Sequence, residues 1–244
     1  HNDGQIWPLL DKSFIGHNCK LSFNLENTML DSTTDLKSML TRPDLLCTDA
    51  FLGGKWVQAK DGKTFDVTNP ARGDVIAKVA DLSRAEIAQG IDSAEKARDA
   101  WAKRTGKDRA NVMRKWFYLM MENQEDLAII MTAEQGKPMT ESRGEVAYGA
   151  SFVECFAEKA KRNYVETIPG HQPNLRLTAN QQLISVDAAI TPSKFPNPIV
   201  TPHFPTAPPA GPAFSAVPAS LPRASALALR ACPPQPDVPA APSR

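Results

Sequence analysis

Leu183-Ile-Ser-Val-Asp-Ala-Ala-Ile190 is an almost continuous apolar run in a chain of 244 residues. Such a run is typical of a strand in a parallel sheet, because that kind of sheet is covered on both faces and needs few polar side chains. The run therefore predicts a largely buried strand. Helical patterns precede it along the chain, so the segment as a whole predicts an α/β fold.

Four amphipathic helices are predicted upstream of this strand. Ser83-Arg-Ala-Glu86 has the spacing of a capping box, in which each side chain satisfies an unpaired backbone donor at a helix start. Gly136 and Pro138 predict the end of the third helix, and the fourth covers about 140–163. Apolar residues recur at steps of three and four on one face of each helix. These faces carry Ile87, Ile91, Ala94, Ala97 and Trp101; Val112, Trp116, Leu119 and Met120; Leu127, Ile130 and Met131; and Val146, Ala150, Val153, Ala157 and Ala160.

Short strands are predicted before the helices. Phe51-Leu-Gly-Gly54 is typical of a strand that ends in a turn, with Trp56 as a core residue. Residues 63–67 and 75–79 are strand-like, and the turn Asn69-Pro-Ala-Arg-Gly73 joins them.

The chain divides into three unequal segments. Residues 1–45 have mixed polarity and no sustained period, so we expect a poorly ordered N-terminal segment. Residues 46–190 form a partial α/β domain. Residues 191–244 hold 15 of the 21 prolines. Proline cannot donate to a sheet ladder and breaks helix interiors, so we predict an extended or disordered tail in which only residues 225–231 could form a short helix.

Composition excludes several classes of function. The formal net charge of +1 gives no electrostatic reason to expect nucleic acid or an acidic membrane as a partner. No apolar run reaches 18 residues, and no basic leader-like segment is present. The four histidines have no metal-ligand spacing, so we expect no metal site. The four cysteines are far apart, which favours a reducing, cytoplasmic location.

Several short motifs are informative because of their order along the chain and the spacing between them. They are Phe51-Leu-Gly-Gly-Lys-Trp56, Val67-Thr-Asn-Pro-Ala-Arg-Gly73, Asn111-Val-Met-Arg-Lys-Trp-Phe117, Glu134-Gln-Gly-Lys-Pro138, Gly144-Glu145, Ile168-Pro-Gly170 and Ile190-Thr-Pro192. Through them the stretch of about 48–196 resembles the N-terminal part of an NAD(P)-dependent aldehyde dehydrogenase, most like a succinate-semialdehyde dehydrogenase. A degraded similarity continues to about residue 230.

The resemblance implies a coenzyme domain with a Rossmann-like sheet, which is incomplete here, a downstream catalytic domain and a small oligomerisation hairpin. Family members are homo-oligomers that oxidise a small-molecule aldehyde to a carboxylic acid. A cysteine thiolate attacks the aldehyde, hydride passes to the nicotinamide, and water hydrolyses the thioester. This chemistry needs an activated thiolate, oxyanion donors and a base.

The resemblance assigns cofactor-binding positions to Ile190, Thr191, Pro192 and Ser220. They would line the nicotinamide and ribose sides of NADP or NAD. The family's catalytic Cys and Glu lie in motifs that this chain does not contain, so we assign no catalytic residue. None of Cys19, Cys47, Cys155 and Cys232 replaces the nucleophile. We interpret Cys155 as a buried small apolar side chain, and Glu134 and Glu145 as helix-surface carboxylates.

The chain departs from the family pattern where cofactor and substrate should bind. Lys194 replaces an Asn whose amide helps to hold the oxyanion, and Pro202 replaces an Arg that pairs with the substrate carboxylate. Val217 replaces the Lys that binds the adenosine ribose. We therefore predict that this chain alone is inactive and binds neither NAD nor NADP more tightly than millimolar.

Three interpretations remain open at this point. The chain is the N-terminal part of a truncated aldehyde dehydrogenase, or it is a non-catalytic product that pairs with full-length subunits or acts through its proline-rich tail. In the third interpretation it is a pseudogene product, or an incompletely assigned sequence of a full-length enzyme.

Overall fold

The computed structural model describes residues 35–162, 164–180, 187–191, 214–218 and 223–231. Four strands are followed by four helices, and four further strands by a last helix, so these residues contain both elements of the predicted α/β fold. In chain order the elements are β1 (Ala50–Leu52), β2 (Lys55–Val57), β3 (Thr64–Thr68), β4 (Val75–Ala80), α1 (Arg84–Ala102), α2 (Gly106–Glu122), α3 (Gln124–Gln135), α4 (Met139–Lys159), β5 (Glu166–Pro169), β6 (Arg176–Ala179), β7 (Asp187–Thr191), β8 (Phe214–Pro218) and α5 (Arg223–Ala231).

The first two strands form a tight hairpin. Gly53 and Gly54 connect them, and both have positive φ, at 57° and 87°. Two consecutive residues with positive φ match the twist of a two-residue hairpin loop, which is why glycine occupies both positions. Phe51 pairs with Trp56 across the hairpin, and their ring centroids are 5.1 Å apart in an edge-on arrangement. The predicted strand and turn are confirmed, and Trp56 is half-buried.

The second hairpin joins β3 to β4 through the predicted turn. The two strands pair antiparallel, and the buried side chain of Asn69 accepts a hydrogen bond of 2.9 Å from the Ala71 amide inside the turn. Val67 and Val79 are buried in a cluster that also contains Leu227 of α5. The second hairpin thus shares a hydrophobic cluster with α5, although the two are far apart in the sequence.

The predicted helix signals are confirmed at the starts and ends of helices. Ser83 and Glu86 form the capping box of α1, with the Ser83 amide donating to the Glu86 carboxylate at 2.9 Å. Gly136 ends α3 in the left-handed conformation, with φ at 70°. The pKa of Glu86 is lowered, first by the hydrogen bond from the Ser83 side chain and then by those from the Ser83 and Lys60 amides.

Helix α4 packs against both α2 and α3. The face predicted for α4 is buried at all of its positions, namely Val146, Ala150, Val153, Ala157 and Ala160. The face predicted for α1 is only partly correct. Gly90, Ala94 and Trp101 are buried, whereas Ile91 is 42% exposed.

Residues 35–45 belong to the segment that was expected to be poorly ordered, and the structure describes regular elements there. These residues form two short 3₁₀ helices, Leu36–Met39 and Pro43–Leu45, with Leu36 and Leu45 buried. The buried carboxylate of Asp126 on α3 holds them by accepting hydrogen bonds from the amides of Thr41 at 3.0 Å and Arg42 at 2.7 Å. These contacts join residues more than 80 positions apart, so no local pattern could have indicated them.

The structure likewise describes two regular elements within the tail that was predicted to be disordered. β8 pairs in parallel with β7, and α5 follows β8 after a link of residues 219–222. Residues 224–230 of α5 are all buried, against α3 and the 3₁₀ turn Pro43–Leu45 among others. The short helix allowed at 225–231 is therefore present, and it begins two residues earlier. The remaining tail residues, and residues 183–186 of the predicted strand, lie outside the described parts of the chain.

No helix in the described part of the chain is long and apolar enough to cross a membrane.

Removal of the α1 cap should reduce stability. We expect Ser83→Ala to lower the free energy of unfolding by about 1 kcal/mol, because the Glu86 amide loses its acceptor at the helix start. Urea denaturation followed by circular dichroism measures this. Ser151→Ala is the matched control, since Ser151 is an exposed serine inside α4 and alanine is favoured in a helix interior. Equal midpoints for the two variants would contradict the role of the cap.

Candidate functional site

Two of the four predicted cofactor-binding residues lie at the end of the parallel strand pair. Ile190 is in register with Val217, and Thr191 with Pro218. The carboxyl ends of parallel strands meet at one edge of a sheet, and ligands of open α/β sheets bind beyond that edge. Ile190 and Thr191 therefore lie at that edge of the strand pair. Pro192 and Ser220 lie outside the described residues.

The start of α5 is held by Glu134, which lies at the end of α3. The Ala224 amide donates to Glu134 Oε1 at 2.8 Å, and the Ser225 amide donates to Oε2 at 2.8 Å. The Ser225 hydroxyl also donates to Oε2, at 2.6 Å. Glu134 is only 3% exposed, so the interpretation of Glu134 as a helix-surface carboxylate is wrong. Its charge is placed where both the helix dipole and unpaired amides favour an anion.

Glu145 is the second carboxylate that the sequence interpretation misplaced. It is buried on α4 and forms an ion pair with Lys137, which is itself largely buried. Burial of two charges is tolerated when they pair closely, because each replaces the water that the other has lost. Glu134 thus accepts hydrogen bonds from the start of α5, and Glu145 pairs with Lys137.

Arg230, in the last turn of α5, is a buried cation with an unusual environment. The guanidinium carbon lies 3.8 Å from the centroid of the Phe51 ring, and the residue is 7% exposed. Its three guanidinium nitrogens have no hydrogen-bond partner among the described residues. Desolvation by burial lowers the pKa of Arg230 to about 10. The aromatic face and the helix dipole offset only part of the cost of burying this charge.

The two described cysteines differ in environment. Cys47 is half-buried, and its pKa is raised to about 11, mainly by desolvation and further by Asp44 and Asp49. It is therefore a thiol rather than a thiolate at neutral pH, and a poor nucleophile. Cys155 is exposed, so the interpretation of a buried apolar side chain is wrong. Within the described residues, no group of three or more His, Cys, Asp or Glu is placed to hold a metal ion.

Sequence reasoning missed Glu134 as the residue that caps α5, and it missed Arg230 altogether. Both interactions join distant parts of the chain, since 90 positions separate Glu134 from Ala224. A partial signal existed for Glu134, because α3 carries apolar residues on several sides and a helix of that kind is buried. A carboxylate on such a helix needs an internal partner.

Comparison with known proteins shows similarity over most of the chain. The model of the aldehyde dehydrogenase family matches residues 56–241. The match continues through β8 and α5, so the tail carries family sequence between its proline-rich parts.

Individual relatives share the same region. The chain is 51% identical to the glutarate-semialdehyde dehydrogenase of Pseudomonas putida over 180 residues, which cover 74% of this chain and 38% of that protein. It is 47% identical to the NADP+-dependent succinate-semialdehyde dehydrogenase of Escherichia coli over 190 residues, 78% of this chain and 39% of that one. The crystal structure of the succinate-semialdehyde dehydrogenase from Burkholderia pseudomallei superposes with a TM-score of 0.78 at 38% identity, over 84% of this chain and 43% of that one. The chain thus spans less than half of each relative.

Replacement of the buried guanidinium should stabilise the protein. We expect Arg230→Met to raise the free energy of unfolding by about 1–2 kcal/mol, because it removes buried donors that have no partner in the described part of the chain and keeps the bulk against Phe51. Arg104→Met is the matched control, since exposed Arg104 lies over the Trp101 ring at 5.3 Å; we expect it to change stability by less than about 0.5 kcal/mol. Chemical denaturation compares them, and a loss of stability in Arg230→Met would contradict this account.

Proposed function

Because the chain belongs to the aldehyde dehydrogenase family, we propose that it supplies the first part of the coenzyme domain of a succinate-semialdehyde-type enzyme. In the complete enzyme the reaction oxidises an aldehyde that carries a carboxylate to a dicarboxylic acid, with NADP or NAD as the oxidant. The observation that carries the proposal is the parallel pair of β7 and β8 followed by α5, within the stretch that matches the family. The chain is 47% identical to an NADP+-dependent enzyme of this type.

We further propose that Ile190, Thr191, Pro192 and Ser220 belong to the cofactor side of that complete enzyme. The described residues alone do not fit a dinucleotide. The amides at the start of α5, a place where a phosphate could bind, are already engaged by Glu134. Val217 stands where the family carries a ribose-binding lysine. The rest of the site must therefore come from outside the described residues.

The chain alone should not oxidise aldehydes. We expect no NAD(P)-linked turnover of succinate semialdehyde above the buffer blank, because the family's nucleophile and base are absent from this sequence. In other nucleophilic enzymes their loss costs on the order of 10⁶ in kcat. Nucleotide reduction followed at 340 nm measures this, and turnover that survives removal of co-purified enzyme would contradict it.

A chimera that contains the missing catalytic sequence provides the positive control for this experiment. Residues 46–196 of this chain replace the matching part of the Escherichia coli relative, which restores the missing catalytic sequence. We expect Lys194→Asn to raise the turnover of this chimera by roughly 10²–10³, since it returns an oxyanion donor. An equal rate with and without the substitution would contradict the oxyanion assignment.

A second candidate function is non-catalytic pairing with other subunits, and the β5–β6 hairpin favours it. All eight residues of the two strands are exposed. Ile168 and Leu177, which lie directly opposite each other, are 45% and 41% exposed. Exposed apolar side chains on a hairpin are typical of an interface, and the family resemblance implies homo-oligomers. We also propose a cytoplasmic location, which is inferred from the wide spacing of the cysteines.

The hairpin candidate can be tested by the mass of the protein in solution. We expect Ile168→Lys to shift the chain towards the monomer mass of 26.6 kDa in size-exclusion chromatography with light scattering, because a charge would be buried in the interface. Thr167→Lys is the matched control, since successive strand residues point to opposite faces. An assembly that resists Ile168→Lys, or a wild-type chain that is already monomeric at high concentration, would reject this candidate.

A further inference from the structure

The start of α5 is closed by a side chain from a distant helix. Both oxygens of Glu134 accept hydrogen bonds there, from the amides of Ala224 and Ser225 and from the Ser225 hydroxyl. A capping group of α5 therefore comes from a distant helix, whereas that of α1 is Ser83, directly before the helix. The group that caps α5 is a buried carboxylate 90 positions upstream.

We propose that Glu134 is the positioning residue of the β8–α5 unit, and that its carboxylate takes the place of a nucleotide phosphate at the start of α5. The proposal rests on the proposed function, because it concerns the strand–helix unit beside the predicted cofactor positions. Dinucleotide folds commonly place a phosphate at a helix start that follows a parallel strand. In this chain the amides of Ala224 and Ser225 already donate to an anion, the Glu134 carboxylate, which is part of the protein itself.

The short length of α5 explains why such an anchor is needed. The helix has nine residues, and isolated helices shorter than about 12–15 residues are marginal in water. The carboxylate satisfies two amides that would otherwise be buried without acceptors, and those donors in turn compensate the buried charge. The orientation of α5 relative to α3 is thereby fixed without any ligand.

The arrangement also determines what the unit can bind. A phosphate placed at the start of α5 would find the amides of Ala224 and Ser225 already engaged and would lie close to a buried negative charge. The phosphate and the Glu134 carboxylate are both negative, and like charges that lie close together repel strongly in a buried environment. We infer that any nucleotide held beside β7 and β8 keeps its phosphates away from α5 and presents neutral hydroxyl or ring groups to this edge.

Three variants of the full chain test the proposal. Glu134→Ala removes the anion, Glu134→Gln keeps the shape without the charge, and Glu141→Ala is the control at an exposed glutamate in the first turn of α4. We expect Glu134→Ala to lower the thermal unfolding midpoint by about 5 °C or more, and Glu134→Gln by less, while Glu141→Ala stays within about 1 °C. Equal midpoints for Glu134→Ala and Glu141→Ala would overturn the positioning role.

Anion rescue distinguishes an internal anion from simple packing. Sodium formate and inorganic phosphate are each titrated against sodium chloride at equal ionic strength. We expect Glu134→Ala to regain part of its midpoint with a saturable dependence on formate or phosphate, because the freed amides again have an acceptor. Wild type and Glu141→Ala should respond only as they do to chloride. A saturable gain of equal size in wild type, or none in Glu134→Ala, would overturn the proposal.

Amide hydrogen exchange keeps the test decisive if Glu134→Ala does not fold. In Glu134→Gln the amides of Ala224 and Ser225 should exchange faster than in wild type, while amides inside α4 stay unchanged. Exchange at 224 and 225 as slow as in wild type would overturn the proposal. Unfolding midpoints and amide exchange rates do not depend on turnover or on oligomeric mass. A failure of this proposal can therefore be distinguished from a failure of the proposed function.

Discussion

Helix α3 is buried on several sides, and its two buried carboxylates, Asp126 and Glu134, must therefore be satisfied inside the protein. Asp126, in its first turn, accepts the amides of Thr41 and Arg42, and Glu134, in its last turn, accepts those of Ala224 and Ser225. Each carboxylate thus binds the backbone of a segment that is remote in sequence. The 3₁₀ turn Pro43–Leu45 and α5 also contact each other. One helix therefore fixes the two outer parts of the described fold.

This constraint explains why the outer segments are ordered although neither has a strong pattern of its own. Leu45 is fully buried, and Leu227 packs in the same cluster as Val67 and Val79 of the second hairpin. Apolar contact alone is non-directional and would allow several orientations of a short helix. Hydrogen bonds from backbone amides to a fixed carboxylate have a defined geometry, so they select one orientation.

Sequence patterns predicted the parts of the fold that depend on local chemistry. The capping box at Ser83, the left-handed glycine at Gly136 and the buried face of α4 all follow from spacing within one element, and the family match agrees with the motifs. The parts that were missed depend on distant partners. Residues 35–45 and α5 acquire order from α3, and Arg230 is buried against Phe51 at the other end of the described fold. Residue spacing carries no information about such contacts.

The hydrogen bonds from α5 to Glu134 also have a kinetic consequence during synthesis. Ribosomes add about 5–20 residues per second, so Glu134 leaves the ribosome roughly 5–20 s before its partners at 224 and 225. Throughout that interval Glu134 lacks the hydrogen bonds from the Ala224 and Ser225 amides, and the side of the second hairpin that later packs on Leu227 is uncovered. Contacts of high sequence separation also form late, because the intervening loop must close first. The nascent chain thus exposes part of its hydrophobic core until α5 has emerged.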